Sequence, residues 1–194
     1  MDKLDAAYWS NRYEEQNTGW DAGKITTPLK AYADQLKNHE LKILIPGAGT
    51  AHEATYLFEN GFHNVYVLDW SPEPLKIFQS KNPDFPAEQL IHKDFFELNR
   101  QFDLVIEQTF FCALDPELRP DYVRKMYEIL KPDGLLVGLL WNSDFPSGPP
   151  FGGTIEEYNR LFSPYFDLEI LEDSYNSIKP RAGREVFIKF RRKA

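Results

Sequence analysis

Between residues 41 and 141, short apolar runs alternate with stretches whose apolar positions recur at helical spacing. LKILIP, VYVLD, QLIHKDFF, FDLVIEQTFF and LLVGLLW are short and nearly continuous in apolar side chains, the texture of buried strands. Between them, AHEATYLFEN predicts a short helix closed by Gly61, and PEPLKIFQSK a helix with proline at its start. DPELRPDYVRKMYEILKPDG places Tyr122, Met126, Ile129 and Leu130 on one helical face, with Pro132 and Gly134 as its stop. Upstream, Thr27-Pro28 followed by Leu29, Tyr32 and Leu36 predicts an N-capped helix with one apolar stripe.

This alternation predicts a single α/β domain over residues 1–194, a doubly wound and mostly parallel sheet covered on both faces. After Trp141 the texture changes. NSDFPSGPPFGG is a Pro/Gly loop, and Thr154 with Glu157 forms a capping box before a helix carrying Ile155, Tyr158, Leu161 and Phe162. DLEILED and EVFIKFRR then read as an antiparallel pair at the sheet edge, joined by SYNSIKPRAGR.

Composition changes this picture in three places. A net charge of −8 argues against a nucleic-acid binder and suits a neutral or cationic small molecule. One cysteine, Cys112, allows no intramolecular disulfide and fits a reducing cytosol, where it is expected to be a buried small hydrophobe. Cys112 and four scattered histidines give no metal-ligand spacing, so no metal is expected. The N-terminal stretch MDKLDAAYWSNRYEE has no apolar signal core, and no run reaches a membrane span. The chain is expected to be a cytoplasmic monomer without a membrane partner.

Candidate chemistry starts at ILIPGAGTAHEA. Gly47-Ala48-Gly49 follows the first strand and opens a helix, where bare backbone N–H groups can approach a ligand. Asp69 ends the second strand, placed to accept hydrogen bonds from two ribose hydroxyls. Asp94, followed by Phe95 and Phe96, ends the third, where a carboxylate can meet a base edge and a ring can cover its face. A dinucleotide would want a third glycine where this chain has His52, which reads instead as a capping or packing residue. S-adenosylmethionine carries no phosphate, and its amino-acid end needs only an open turn.

PGAGTAHEA, VLDWSPEPL, FDLVIEQTFFCALDPELRP, LKPDG, GPPFGGTIEEY and IKPRAGRE together resemble the thiopurine methyltransferase superfamily, and within it the halide/thiol methyltransferase branch. The similarity runs from about Trp9 to the C-terminus. It implies a seven-stranded class I methyltransferase fold and S-adenosylmethionine as cofactor. It also implies an N-terminal lid within residues 1–38, with Trp9, Tyr13 and Trp20 offering π faces to a sulfonium. The branch carries tryptophan at the position of Tyr13 and often tyrosine at that of Gln108, so two site positions depart from its pattern. The resemblance gives cofactor contacts at Trp9, Tyr13, Trp20, Gly47, Ala48, Gly49, Asp69, Trp70, Asp94, Phe95 and Gln108.

The acceptor pocket is expected to be walled by Phe110, Phe111, Trp141 and Phe151, with Arg181 drawing in an anion. Methyl transfer is an in-line displacement that needs nucleophile and methyl within about 3–3.5 Å in a dry cleft. A thiol, hydrosulfide, thiocyanate or halide is wholly or partly ionised at neutral pH, so a general base is optional, and no catalytic residue is named. Two other readings stay open at this point: a nicotinamide-dependent oxidoreductase, and a non-catalytic adenosine-ligand binder on the same fold.

Overall fold

The computed structural model describes residues 4–194, so residues 1–3 of the expected lid segment lie outside the described residues. Seven strands form one sheet: β1 (Ile43–Pro46), β2 (Val65–Asp69), β3 (Leu90–His92), β4 (Phe102–Gln108), β5 (Leu130–Trp141), β6 (Phe166–Asp173) and β7 (Glu185–Arg192). Their order is β3-β2-β1-β4-β5-β7-β6. The first five run parallel, and β7 is antiparallel to both β5 and β6. The C-terminal pair therefore lies at the edge as expected, with β7 inserted between β5 and β6.

Helices α1 (Ala6–Glu14), α2 (Thr27–Ala33), α3 (His52–Glu59), α4 (Pro72–Lys81), α5 (Arg119–Ile129) and α6 (Ile155–Phe162) complete the chain. Alternation along the strands separates two cores, because successive side chains leave opposite faces of the sheet. Leu44, Val105, Leu136 and Val186 pack with α5 and α6 through Tyr122, Met126, Tyr158 and Phe162. Ile43, Ile45, Leu104, Ile106, Val137 and Leu139 pack on the other face with Leu29, Ala54, Leu57, Leu75 and Phe78 of α2, α3 and α4.

Three elements differ from the sequence expectation, each for a tertiary reason. The clearest helix ends at Ile129 rather than at Gly134, because Leu130 pairs with Phe102 and the chain bulges before Leu135 meets Leu104. The third strand stops at His92, and Phe95–Glu97 turn into a 3-10 helix capped by Asp94, whose Oδ1 accepts from Phe96 N at 2.8 Å. The capping box is half made. Thr154 Oγ1 accepts from Glu157 N at 3.2 Å, but the Glu157 carboxylate turns to the buried Arg119 at 2.7 Å instead of closing the box. A buried guanidinium without a counter-charge would cost more than one unmade cap bond.

Gly138 marks how closely β4 and β5 approach. A Cβ there would run into the backbone carbonyl of Glu107, which cannot swing aside as a side chain could. Gly138→Ala is therefore expected to cost about 1–3 kcal/mol. Urea unfolding with an unchanged midpoint would show that the strands can part at no cost.

Candidate active site

Every strand of the parallel part delivers its carboxyl end to one edge of the sheet, and the turn after β1 opens there. Gly47 and Gly49 both have φ of +54°, and Ala51 follows at +49° as the residue before α3. The left-handed backbone leaves no room for a side chain at Gly47, where the Phe110 ring stands, or at Gly49, which the Tyr13 hydroxyl covers. Asp69 ties the turn to β2: its Oδ2 accepts from Gly49 N at 3.0 Å and its Oδ1 from Ser71 N at 2.8 Å. Burial pushes this carboxyl up to about 6, against the pull of those two N–H groups. Each oxygen keeps lone-pair capacity for a further donor.

Over the turn lie three aromatic rings. Trp20 meets Trp9 edge-on at 5.6 Å and Tyr13 at 5.7 Å between centroids. Ser10 of α1 and Ser71 at the head of α4 share a hydrogen bond of 2.8 Å, which seats the lid helix beside the end of β2. One residue past Trp20, Asp21 fastens the lid loop to the start of α3. Its Oδ1 meets His52 Nε2 at 2.7 Å and its Oδ2 accepts from Thr50 Oγ1 at 2.8 Å. His52, read from sequence as a cap or packing residue, is a lid contact.

Beneath the lid runs a polar network that the sequence reading did not foresee. The Gln108 amide satisfies its neighbours in one orientation: its nitrogen donates to Thr26 Oγ1 and to Glu53 Oε1, each at 3.0 Å, and its oxygen accepts from Arg181 Nη1 at 2.5 Å. Arg181 also donates to the Trp20 carbonyl at 2.6 Å and faces Glu185 Oε1 at 3.5 Å. Trp20, Gly47, Gly49, Glu53, Gln108, Thr109 and Arg181 line one cavity. Thr109, in the left-handed region at φ +61°, carries the local strain that site loops store. Glu53 and Glu185 are both buried, and that burial raises the proton affinity of each.

The structure does not gather all the residues expected at the site. Trp9, Tyr13, Trp20, Gly47, Ala48, Gly49, Asp69 and Gln108 lie at or over the turn. Trp70 is 41% exposed beside it, and Asp94 spends one oxygen on its 3-10 cap. Phe95 is a correction: it is buried in the α5 face, stacked on Tyr122 at 5.5 Å, and presents no face to a base. Phe111 is another, buried between Tyr122, Tyr158 and Phe162 with the Arg119 guanidinium over its ring, so it walls no pocket. Phe110, Trp141 and Phe151 are half-buried. Arg181 is no loop arginine awaiting an anion. It is buried, with its guanidinium shared among three acceptors. Cys112 is buried as expected, its thiol pushed up to about 12 by burial.

An open glycine turn, a buried carboxylate at the end of β2 and an aromatic cover fit S-adenosylmethionine. Comparison with known proteins decides the family. The profile of the thiopurine S-methyltransferase family matches residues 4–190. The chain belongs to that family. Thirty per cent identity over 192 residues, 95% of this chain and 84% of the relative, relates it to a probable thiol methyltransferase 2 of Arabidopsis thaliana. A thiocyanate methyltransferase 1 of Brassica oleracea is also 30% identical, over 91% of this chain and 81% of the relative. A thiopurine S-methyltransferase of Marinobacter nauticus is 26% identical over 93% and 92% of the two chains.

Among solved structures, magnesium protoporphyrin IX methyltransferase of Synechocystis with bound S-adenosylhomocysteine superposes with a TM-score of 0.76 at 14% identity, covering 97% of each chain. A Burkholderia thailandensis 1,6-didemethyltoxoflavin N1-methyltransferase, also with S-adenosylhomocysteine, gives 0.74 at 17% identity, over 97% of this chain and 87% of that one. These two likenesses show the class I fold. This family member is an S-adenosylmethionine-dependent methyltransferase, and the oxidoreductase reading falls away. Among the described residues, no helix is long and apolar enough to cross a membrane, and no cluster could hold a metal ion.

Proposed function

We propose that this methyltransferase acts on a small soft nucleophile: a thiol, hydrosulfide, thiocyanate or halide. The observation that carries the reading is the aromatic lid closed over Gly49, above a small cavity lined by Gly47, Gln108, Thr109 and Arg181. The names of the Arabidopsis and Brassica relatives support the same class of acceptor. S-adenosylmethionine, when bound, supplies a methyl group activated on a sulfonium.

The chain's own residues bind, orient and dry the site. Gly47, Ala48 and Gly49 offer a bare turn, Asp69 receives the ribose hydroxyls, and Trp9, Tyr13 and Trp20 shield the sulfonium. Trp70, Asp94 and Gln108 border the same cofactor. Phe110, Trp141 and Phe151 keep water from the acceptor. A monomer in a reducing cytosol, with the small-molecule acceptor as its partner, completes the reading.

Headspace gas chromatography over thiol, hydrosulfide, thiocyanate and iodide tests the acceptor class. Methylated product from these, and none from a catechol or an amine, is the expected outcome. Turnover with an oxygen nucleophile alone would overturn it.

Trp20→Ala tests the lid. Trp20 is half-buried, so its loss should leave the apo melting temperature nearly unchanged, whereas a core tryptophan would cost about 3–5 kcal/mol. S-adenosylmethionine affinity should fall by about 1–2 kcal/mol through lost cation–π contact and cover. Calorimetry showing the reverse, large destabilisation with normal binding, would make Trp20 a structural residue.

A further inference from the structure

We propose that small anionic acceptors reach the site through an outer cleft between the lid loop and the loop before β7, drawn in by Lys24 and Lys179. The proposal rests on the acceptor class given above and adds the route and the residues that steer it.

The cleft is a half-open cavity of about 570 Å³, with Gly19, Trp20, Lys24, Thr27, Ser177 and Lys179 in its lining. That volume lies within the range of small-molecule sites, about 300–1,000 Å³. One wall is the loop that joins α1 to α2, and the other is the loop that joins β6 to β7. The second loop ends at Glu185, which pairs with Trp141 at the end of β5. The cleft therefore opens at the same edge of the sheet as the glycine turn.

It adjoins the inner cavity on that turn. Trp20, Asp21, Ala22, Lys24 and Arg181 line both spaces. Trp20 and Arg181 stand between them, joined by the 2.6 Å hydrogen bond from Arg181 Nη2 to the Trp20 carbonyl. Elsewhere the lid is fastened: Tyr13 covers Gly49, Ser10 bonds Ser71, and Asp21 bonds Thr50 and His52. An acceptor entering by the outer cleft leaves the aromatic cover over the cofactor undisturbed.

Charge favours an anion on this route. The chain carries a net charge of −8, so its surface as a whole repels anions. In the cleft the balance is reversed. Lys24 and Lys179 are both exposed, and among the described residues neither has an ion pair or a hydrogen bond. The carboxylate of the lining, Asp21, is already engaged by Gly23 N at 2.7 Å, by Thr50 and by His52. Arg181 faces Glu185. Two free ammonium groups on facing walls of a concave surface focus a positive field at its mouth. The attraction of an anion, expected of Arg181 from the sequence, falls to these two lysines.

Lys24→Gln, Lys179→Gln and the double variant test the route, with thiocyanate as acceptor and Lys81→Gln as control. Lys81 is an exposed lysine at the far end of α4, whose ten residues carry it about 15 Å toward the opposite edge of the sheet. Its loss changes net charge equally. KM for thiocyanate should rise about threefold in each cleft variant and about tenfold in the double variant, with kcat unchanged. Lys81→Gln should move KM by less than about 1.5-fold. Raising ionic strength with potassium sulfate from about 0.01 to 1 M shortens the screening length from ~30 to ~3 Å, and should bring wild type and double variant to the same KM. Calorimetry should give one S-adenosylhomocysteine affinity for all of these proteins. An equal shift in Lys81→Gln, a salt-independent KM in the wild type, or a matching loss of S-adenosylhomocysteine affinity would overturn the proposal while the acceptor class stands. A wild type that turns over no small anion would overturn both.

Discussion

Glu107→Ala is expected to lower the melting temperature by about 8–15 °C, the largest stability loss of any single substitution considered for this chain. Glu107 is fully buried near the end of β4, on the α5 face. Its Oε1 accepts from the backbone N–H groups of Phe110 and Phe111 at 2.9 and 3.0 Å, and its Oε2 from the Tyr122 hydroxyl at 2.6 Å. The carboxylate therefore folds the loop after β4, the loop that sets Phe110 against Gly47 and Thr109 into its left-handed conformation. Alanine would strand three buried donors at about 1–3 kcal/mol each, partly offset by removing a desolvated acid, for a net of about 3–5 kcal/mol.

Glu107→Gln should recover most of this, since its amide oxygen can still serve the two N–H groups. The pH dependence has a definite sign. Burial raises the Glu107 pKa above its unfolded value despite the three donors. Its stabilising share is then complete below the unfolded pKa and is lost as pH rises through the folded one. Wild type should accordingly lose stability relative to Glu107→Gln on going from acid to neutral pH. Thermal melts of the two proteins with a pH-independent difference would refute the buried-acid account.

Much of the fold was legible because burial on both faces leaves an unbroken apolar signature. ILIP, VYVLD and LLVGLLW read as strands without ambiguity, and a glycine turn after the first strand has few alternatives. The misreadings share one cause: a residue type that suits two environments. Phe95 and Phe111 follow strand ends, where an aromatic ring can cover a ligand or turn inward. Tyr122 on α5 supplied the partner that turned both inward. Glu157 belonged to a local capping pattern, yet Arg119, distant in sequence, claimed it.

The polar network was out of reach for the same reason. Glu53, Gln108 and Arg181 come together only once α3, β4 and the loop before β7 have folded. No spacing within the chain announces a contact across 128 residues between Glu53 and the Arg181 neighbourhood. The PRAGRE motif did point to the right loop. Its Arg181 is the residue that ties Gln108 to the Trp20 carbonyl.

Asp69→Ala is expected to weaken S-adenosylhomocysteine binding by about 1.5–3 kcal/mol, roughly 10- to 150-fold, and to flatten the pH dependence of binding. In the wild-type chain burial lifts the Asp69 carboxyl from 3.8 to about 6. A carboxyl whose folded pKa is raised stabilises the fold fully below the unfolded value and loses that contribution as pH rises through the folded one. For this shift the loss is about 3 kcal/mol between pH 4 and 6. Two ribose hydroxyls donating to the carboxylate would favour its charged form and so lower its pKa in the complex. Binding must then release a proton at pH values near 5.5, and affinity should climb with pH up to about 6 and level off above it. Calorimetry at pH 5.5 in two buffers of different ionisation heat measures that proton directly. Asp69→Ala should show none, along with its weaker affinity, while its apo form escapes the loss of stability between pH 4 and 6. A wild type that binds S-adenosylhomocysteine with no proton released and equal affinity at pH 5 and 7 would remove Asp69 from the ribose, whatever the alanine variant did to affinity.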